Sequence, residues 1–216
     1  MNEHIKELYS GLQTAFIDGT CNSNLAYRPQ LLTNDSRRGQ KVLSSIEDEL
    51  LHCDEYAISV AFITRSGITP LLQTFQELDK KGIPGRILTT DYLMFSEPEA
   101  LETLHSLKQV SLKMYCTVNG PGFHTKGYIF RKDELYRIIV GSSNMTQYAL
   151  TVNQEWNARI ISAEQGEFAQ NIRDEFDRLW NGKETQDFEE FYELYKTKYQ
   201  IVKRQRESAR RACCRA

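Results

Sequence analysis

The residues best suited to chemistry in this chain lie in three short stretches between residues 124 and 156. They are His124-Thr-Lys126, Gly141-Ser-Ser-Asn144 and Asn153-Gln-Glu-Trp156. A neutral imidazole can attack or carry a proton near neutral pH, and a carboxylate bonded to its other nitrogen fixes the tautomer. Lysine and amide donors suit the non-bridging oxygens of a phosphate, where charge builds up during transfer. The set predicts attack on a phosphodiester, and because no dense acidic cluster accompanies it, no metal is required.

The elements around these stretches must bring them together. Residues 123–130 and 135–140 read as two strands joined by a charged turn, which predicts a hairpin, and 155–161 reads as a further strand. Residues two apart lie on one face of a strand, so the His124 and Lys126 side chains should point the same way. If the strands pair, the three stretches meet at neighbouring strand ends.

The stretches resemble the signature of the phospholipase D superfamily, which is HxK, an Asp five residues after the Lys, and GSxN. This chain departs from it at the Asp, where it has Arg131. That departure resembles the nuclease branch, particularly the metal-independent restriction endonucleases, whose pattern is HxK, seventeen residues, Asn, ten residues, Glu. Seventeen residues separate Lys126 from Asn144 here, and ten separate Asn144 from Glu155. HxK alone is weak, since His4-Ile-Lys6 also satisfies it, but the four parts together are specific.

The resemblance implies a role for each matching residue. His124 would be the nucleophile or its acid partner, Lys126 and Asn144 would hold the phosphate, and Glu155 would orient His124. Ser142 would support the substrate with a hydrogen bond. Such enzymes join two HxK motifs in one site and pass through a phosphohistidine. With one usable motif per chain, a homodimer would have to supply the second. The substrate would be nucleic acid, in particular DNA, with no cofactor.

Strand and helix patterns alternate along the chain, which predicts an α/β domain with a mixed sheet layered between helices. We expect a phospholipase D-like catalytic core at 53–182, a helical segment packing on it at 1–52, and a helical, basic tail or linker at 183–216. The expected helices cover residues 3–17, 42–51, 66–81, 97–107 and 165–180, and the further strands cover 56–62, 86–90 and 110–116.

Composition and charge narrow the class of protein. The formal net charge is −2, yet residues 203–216 hold six of the 27 basic residues and one of the 29 acidic ones, so the rest of the chain is acidic. Broad attraction to nucleic acid is therefore not expected. The five cysteines are odd in number and form no CxxC, which favours a reducing compartment. With no apolar run near membrane-spanning length and a charged N-terminus, we expect a cytoplasmic protein that does not contact a membrane.

Several alternatives stay open at this point. The chain could be a phospholipid or other small phosphodiester hydrolase of the same superfamily, or a non-catalytic DNA-binding module in which Arg131 marks lost chemistry. Gly141–Asn144 could simply cap a helix, and His52 and His105 are expected to be structural or exposed. The chain could also be the nuclease module of a longer helicase or restriction-type protein, although it contains no GxxxxGK[ST] motif of its own.

Overall fold

The centre of the fold is strand β2 (Glu55–Val60), in which every residue after the first is buried. A continuous apolar run of this kind is typical of a strand covered on both faces. β3 (Gly85–Thr90) and β4 (Val110–Tyr115) follow in parallel on one side of it, and β5 (Lys126–Lys132) pairs antiparallel on the other. The computed structural model describes residues 2–213, within which the sheet has eight strands in the order β1-β7-β6-β5-β2-β3-β4-β8.

Two further antiparallel strands and two short edge strands complete the sheet. β5 and β6 (Leu135–Gly141) form the predicted hairpin, with Asp133 at φ 52° in its turn. β7 (Asn157–Ala163) pairs with β6, and the three-residue strands β1 (Gln30–Leu32) and β8 (Thr185–Asp187) form the two edges. The helices are α1 (Glu3–Phe16), α2 (Val42–His52), α3 (Arg65–Ile68), α4 (Leu72–Lys81), α5 (Pro98–His105), α6 (Gln147–Thr151), α7 (Glu167–Trp180) and α8 (Phe188–Cys213).

Helices cover both faces of the sheet. Alternate β2 residues, such as Tyr56 and Ile58, enter a large apolar cluster to which α2, α4, α5 and α8 contribute. Ala57, on the opposite face, belongs to a second cluster built with α7. This is the predicted mixed sheet between helices. The predicted division at residues 52 and 182 stays a prediction; the segments on either side each add an edge strand to the same sheet.

Strand register brings the three chemical stretches to one edge of the sheet. Val60, at the end of β2, pairs with Lys126 at the start of β5. Gly127 pairs with Val140, and Gly141, at the end of β6, pairs with Asn157 at the start of β7. The residues just outside these strand ends are therefore neighbours in space.

The structure corrects the predicted boundaries of the strands and helices near that edge. β5 begins at Lys126 and β7 at Asn157, so His124 and Glu155 lie in loops rather than in strands. Gly141–Asn144 does not cap a helix, because Thr146 caps α6 by accepting a hydrogen bond from the Ala149 amide. The predicted helix at 66–81 is broken near Pro70, and its second part ends at Gly82, a left-handed residue with φ 74°. Residues 214–216, the end of the predicted basic tail, lie outside the described residues.

Candidate active site

His124 and Lys126 contact each other at the start of β5, beside the end of β2. The Lys126 Nζ lies 2.6 Å from His124 Nδ1 and 3.0 Å from Nε2, and it donates to the His124 carbonyl at 2.9 Å. An ammonium group can only donate, so the imidazole nitrogen facing it has to be an unprotonated acceptor. The pair is as the sequence predicted, with both side chains on one side, although His124 precedes the strand.

The electrostatics of this pair favour the neutral imidazole. Partial burial, and secondarily the charge of Lys126, lower the pKa of His124 below its ordinary value. Burial also lowers the pKa of Lys126, and the negative charge of Glu155 opposes that change. Desolvation is the larger cause of the lowered pKa in each case.

Asn144 is held by the backbone that follows β2. Its Oδ1 accepts a hydrogen bond from the Phe62 amide at 3.1 Å, and its Nδ2 makes no hydrogen bond to the described residues. The loop around it is tied to the same segment, because Met145 N donates to Phe62 O and Thr64 N donates to Met145 O, both at 3.0 Å. The amide oxygen is therefore fixed and the amide NH₂ is available to a ligand.

Glu155 is bound by Ser142 and not by His124. The Ser142 hydroxyl donates to Glu155 Oε2 and accepts from the Trp156 amide at 3.1 Å. Glu155 is buried, with 9% of its surface exposed, whereas the next residue, Trp156, is 75% exposed. The orienting role expected for Glu155 on His124 stays a prediction, while its influence on Lys126 places its charge within the site.

Position 141 requires glycine because the chain that enters β7 passes close to the end of β6. A Cβ on Gly141 would lie 2.3 Å from the Trp156 carbonyl oxygen and 2.5 Å from Asn157 Oδ1. Asn157 in turn accepts from the Ser143 amide and donates to the Ser143 hydroxyl at 2.9 Å. Sequence reasoning missed Asn157 and Ser143, whose burial only the fold reveals, and they fix the backbone on which Ser142 and Asn144 stand.

Aromatic rings, which no sequence pattern indicated, form one wall beside His124. The ring of Phe62 lies edge-on to His124 at 6.2 Å, and that of Tyr92 at 6.4 Å. Phe95 packs edge-on to Phe62 at 5.0 Å. Phe62 follows β2, whereas Tyr92 and Phe95 follow β3, so their positions come from the parallel pairing of those strands. On another side, a cleft of ≈ 320 Å³ runs from His124 along β5 to α7.

The other histidines lie away from this edge. His4, on α1, contacts the Tyr27 hydroxyl at 2.6 Å. His52 bonds to the Asp48 carbonyl within α2, and His105 stacks on Phe188 at 3.8 Å.

Among residues 2–213 there is no group of three or more His, Cys, Asp or Glu side chains arranged to hold a metal ion. No helix in this part of the chain is long and apolar enough to cross a membrane.

Comparison with known families decides the relationship. The family model described as "Cardiolipin synthase, PLD-like domain" matches residues 50–180, more than half of the chain. The chain belongs to the phospholipase D-like family. The matched range contains every residue of the predicted site, and it confirms the predicted superfamily and the predicted class of enzyme, one that acts on phosphodiester bonds. No curated protein sequence matches the chain significantly.

Solved structures share the phospholipase D-like fold at low sequence identity. NucT from Helicobacter pylori is 14% identical, with a TM-score of 0.57 over 74% of this chain and 99% of its own. Nuc, a phospholipase D family member from Salmonella typhimurium, is 16% identical, with a TM-score of 0.57 over 74% and 98%. Phosphatidylserine synthase from Haemophilus influenzae is 15% identical, with a TM-score of 0.54, and this chain covers 46% of it. The predicted fold class is confirmed.

Proposed function

We propose that the protein is a metal-independent nuclease that cleaves DNA through a phosphohistidine intermediate, at a site shared by two copies of the chain. One observation carries the proposal. His124, Lys126, Asn144 and Glu155 have the spacing of the metal-independent nuclease pattern, and strand register gathers them at one sheet edge.

His124 is the proposed nucleophile because its environment favours the form that attacks. A lowered pKa keeps the imidazole neutral to a lower pH than an ordinary histidine. Lys126 contacts the same ring and reaches the space in front of it. One imidazole nitrogen attacks phosphorus, forming a P–N bond as the P–O bond to the leaving oxygen breaks.

The leaving oxygen requires a proton, which a second imidazole can supply. Since each chain has one histidine at this edge, that imidazole is the His124 of a second copy, protonated before the step and neutral after it. The neutral histidine then takes a proton from water as the water attacks phosphorus. The P–N bond breaks, a phosphomonoester leaves, and both histidines regain their starting states.

Lys126 and Asn144 are the proposed phosphate ligands. Both present donors at the same edge: the Lys126 ammonium, and the Asn144 NH₂, which bonds to none of the described residues. Charge grows on the non-bridging oxygens during transfer, and prearranged donors stabilise it. Ser142 and Glu155 support this arrangement, since the carboxylate opposes the loss of charge on Lys126 and the hydroxyl fixes the carboxylate.

Arg131, at the superfamily's usual Asp position, does not weigh against catalysis. It lies at the far end of β5 from Lys126, about 17 Å along the strand. There Arg131 Nε donates to Glu55 Oε1 at 2.8 Å. This substitution therefore changes an ion pair at the opposite edge of the sheet and removes no group from the proposed site.

A nuclease assay with and without EDTA tests the proposal. We expect the wild-type chain to cleave DNA equally in both conditions, and His124→Ala to lose activity while remaining folded. His52→Ala is the matched control, because His52 lies on α2 and bonds only within that helix. Cleavage that EDTA abolishes, or full activity in His124→Ala, would contradict the mechanism.

A second candidate function is hydrolysis of a phospholipid phosphodiester by the same residues. The description of the matching family favours it, because that description names cardiolipin synthase. The same chemistry would apply, with the headgroup oxygen as leaving group. Turnover of cardiolipin in detergent micelles, lost in His124→Ala and accompanied by no cleavage of DNA, would select this function instead.

A further inference from the structure

The turn that carries the aromatic wall has an unfavourable backbone. Leu93 and Met94 are consecutive non-glycine residues in the left-handed region, with φ of 56° and 47°. Side chains other than glycine adopt this conformation at a cost, and two in succession persist only where the surroundings impose them. What holds the turn therefore determines where Tyr92 and Phe95 stand beside the site.

The ends of the turn are fixed by ordinary contacts. Before it, Asp91 Oδ1 accepts from the amide and the hydroxyl of Thr117, both at 2.8 Å. After it, the Ser96 hydroxyl accepts from the Ile63 amide at 3.1 Å, and the Ser96 carbonyl accepts from the Tyr195 hydroxyl at 2.7 Å. These bonds anchor both flanks but leave the carbonyls of the two left-handed residues to another partner.

That partner is Arg206, on the last turns of α8. Its guanidinium donates to the Met94 carbonyl at 3.1 Å and to the Leu93 carbonyl. The same group lies over the Phe95 ring, 4.1 Å from its centroid, within the range of a cation–π contact. One side chain thus binds three successive residues of the turn.

A continuous path leads from Arg206 to the site. Phe95 packs against Phe62, and Phe62 contacts the His124 ring. The Phe62 amide also donates to Asn144. Displacing Phe95 would therefore disturb Phe62, which packs against His124 and whose amide donates to Asn144.

We propose that Arg206 is a positioning residue of the active site, which holds the 92–95 turn so that its aromatic side chains form the wall beside His124. The proposal rests on the assignment of His124 to the site. It gives a function to the basic C-terminal segment other than attraction of phosphates.

The test compares Arg206→Ala, Arg206→Lys and Arg210→Ala. Arg210 is exposed one turn further along α8 and matches the loss of charge. The measurements are the melting temperature, kcat and KM for DNA cleavage in the presence of EDTA, and the pKa of His124 followed by NMR. Lys126 on its own segment and Tyr92 on the turn lie beside His124, and Glu175 on α7 lines the same cleft; none of the three is altered in these variants.

In Arg206→Ala we expect kcat to fall on the order of tenfold or more, because displacing a catalytic group by about an ångström is enough to cause such a loss. The His124 pKa should rise towards its ordinary value as the ring gains solvent. Arg206→Lys should recover part of both effects, and Arg210→Ala should match the wild type. Wild-type kcat and His124 pKa in Arg206→Ala, or equal losses in Arg210→Ala, would overturn the proposal. The NMR measurement needs no turnover, so it remains decisive if the nuclease assay itself fails.

Discussion

The side-chain amide of Asn144 has two atoms with separate tasks. Its oxygen accepts from the Phe62 amide, and its nitrogen is free of bonds to the described residues and is the proposed phosphate donor. Asn144→Asp keeps the acceptor but replaces the donor with a negative charge. We expect a loss of activity of about a hundredfold or more, as when one donor to a developing oxyanion is removed. Cleavage rates and melting temperatures of the purified variant check this.

Asn144→Leu is the matched variant for the other task, because it removes both atoms. It should lose the same activity and also about 1 kcal/mol of unfolding free energy, since the Phe62 amide loses its partner. Denaturant unfolding of the two variants separates the tasks. If Asn144→Asp were as destabilised as Asn144→Leu, the amide oxygen would not have the role assigned to it.

Lys126 is predicted to influence the protonation of His124. Its positive charge disfavours the imidazolium, and burial, the larger cause, does the same. In Lys126→Met the charge is gone and the burial remains, so the His124 pKa should rise without passing its ordinary value of 6.5. An NMR titration of the histidine ring protons measures this.

Lys132→Met provides the control for that titration. Lys132 lies at the other end of β5 and bonds to Asp54 at 2.9 Å, so the pKa of His124 should not change. A His124 pKa that stayed the same or fell in Lys126→Met would mean that the contact between the two side chains is not formed in solution.

At the scale of elements, the sequence predicted the six longer strands, including those that carry the site, and missed the two short edge strands. Buried or alternating runs such as Tyr56–Val60 identify β2 and the β5–β6 hairpin. β1 and β8 have three residues each, too few to show a period, and their pairing depends on distant partners. The predicted starts of β5 and β7 are too early because Phe123 and Trp156 are strand-forming residues, although both precede the first paired residue of their strand.

The site itself was predictable to the extent that its residues are close in sequence. Spacing identified His124, Lys126, Asn144 and Glu155, which lie within one run of the chain and on consecutive strand ends. Phe62 and Phe95 reach the site only because β2 and β3 are parallel to each other. Arg206 reaches it from α8, more than a hundred residues from the turn it binds. Contacts of that kind leave no local pattern.

Helix α3 sets the position of the loop that carries Asn144. A Cβ on Gly67 would lie 2.1 Å from the Met145 carbonyl oxygen, which is backbone and cannot rotate away. Gly67→Ala should therefore push this loop outward, lowering the unfolding free energy by about 1–3 kcal/mol and lowering activity with it. Thermal unfolding and cleavage rates provide the measurements.

Gly19→Ala is the comparison for that variant. Gly19 lies in the turn after α1, with nothing within 4 Å of the added Cβ. Its melting temperature and activity should match those of the wild type. Equal stability of the Gly67 and Gly19 variants would show that the close approach of α3 to the loop is not present in solution.

At the scale of the whole molecule, the surface around the site does not resemble one that attracts nucleic acid by charge. The chain has a formal charge of −2, and residues 203–216 hold six of its 27 basic residues and one of its 29 acidic ones. Near the site two large apolar side chains are exposed to solvent: Trp156 is 75% exposed and Leu93 is 50% exposed. Exposed apolar side chains beside the proposed site are consistent with the proposed packing of a second copy against it.

The proposed dimer makes a quantitative prediction for mixed chains. If wild-type and His124→Ala chains are refolded together in equal amounts, random pairing leaves about one quarter of the dimers with two intact histidines. Activity for a fixed amount of wild-type chain should then fall to about half, and excess mutant should lower it further. His52→Ala as the added chain should cause no loss, because its site is intact. Activity that did not respond to added His124→Ala would mean that each chain acts alone, and one His124 would then have to serve as both nucleophile and acid.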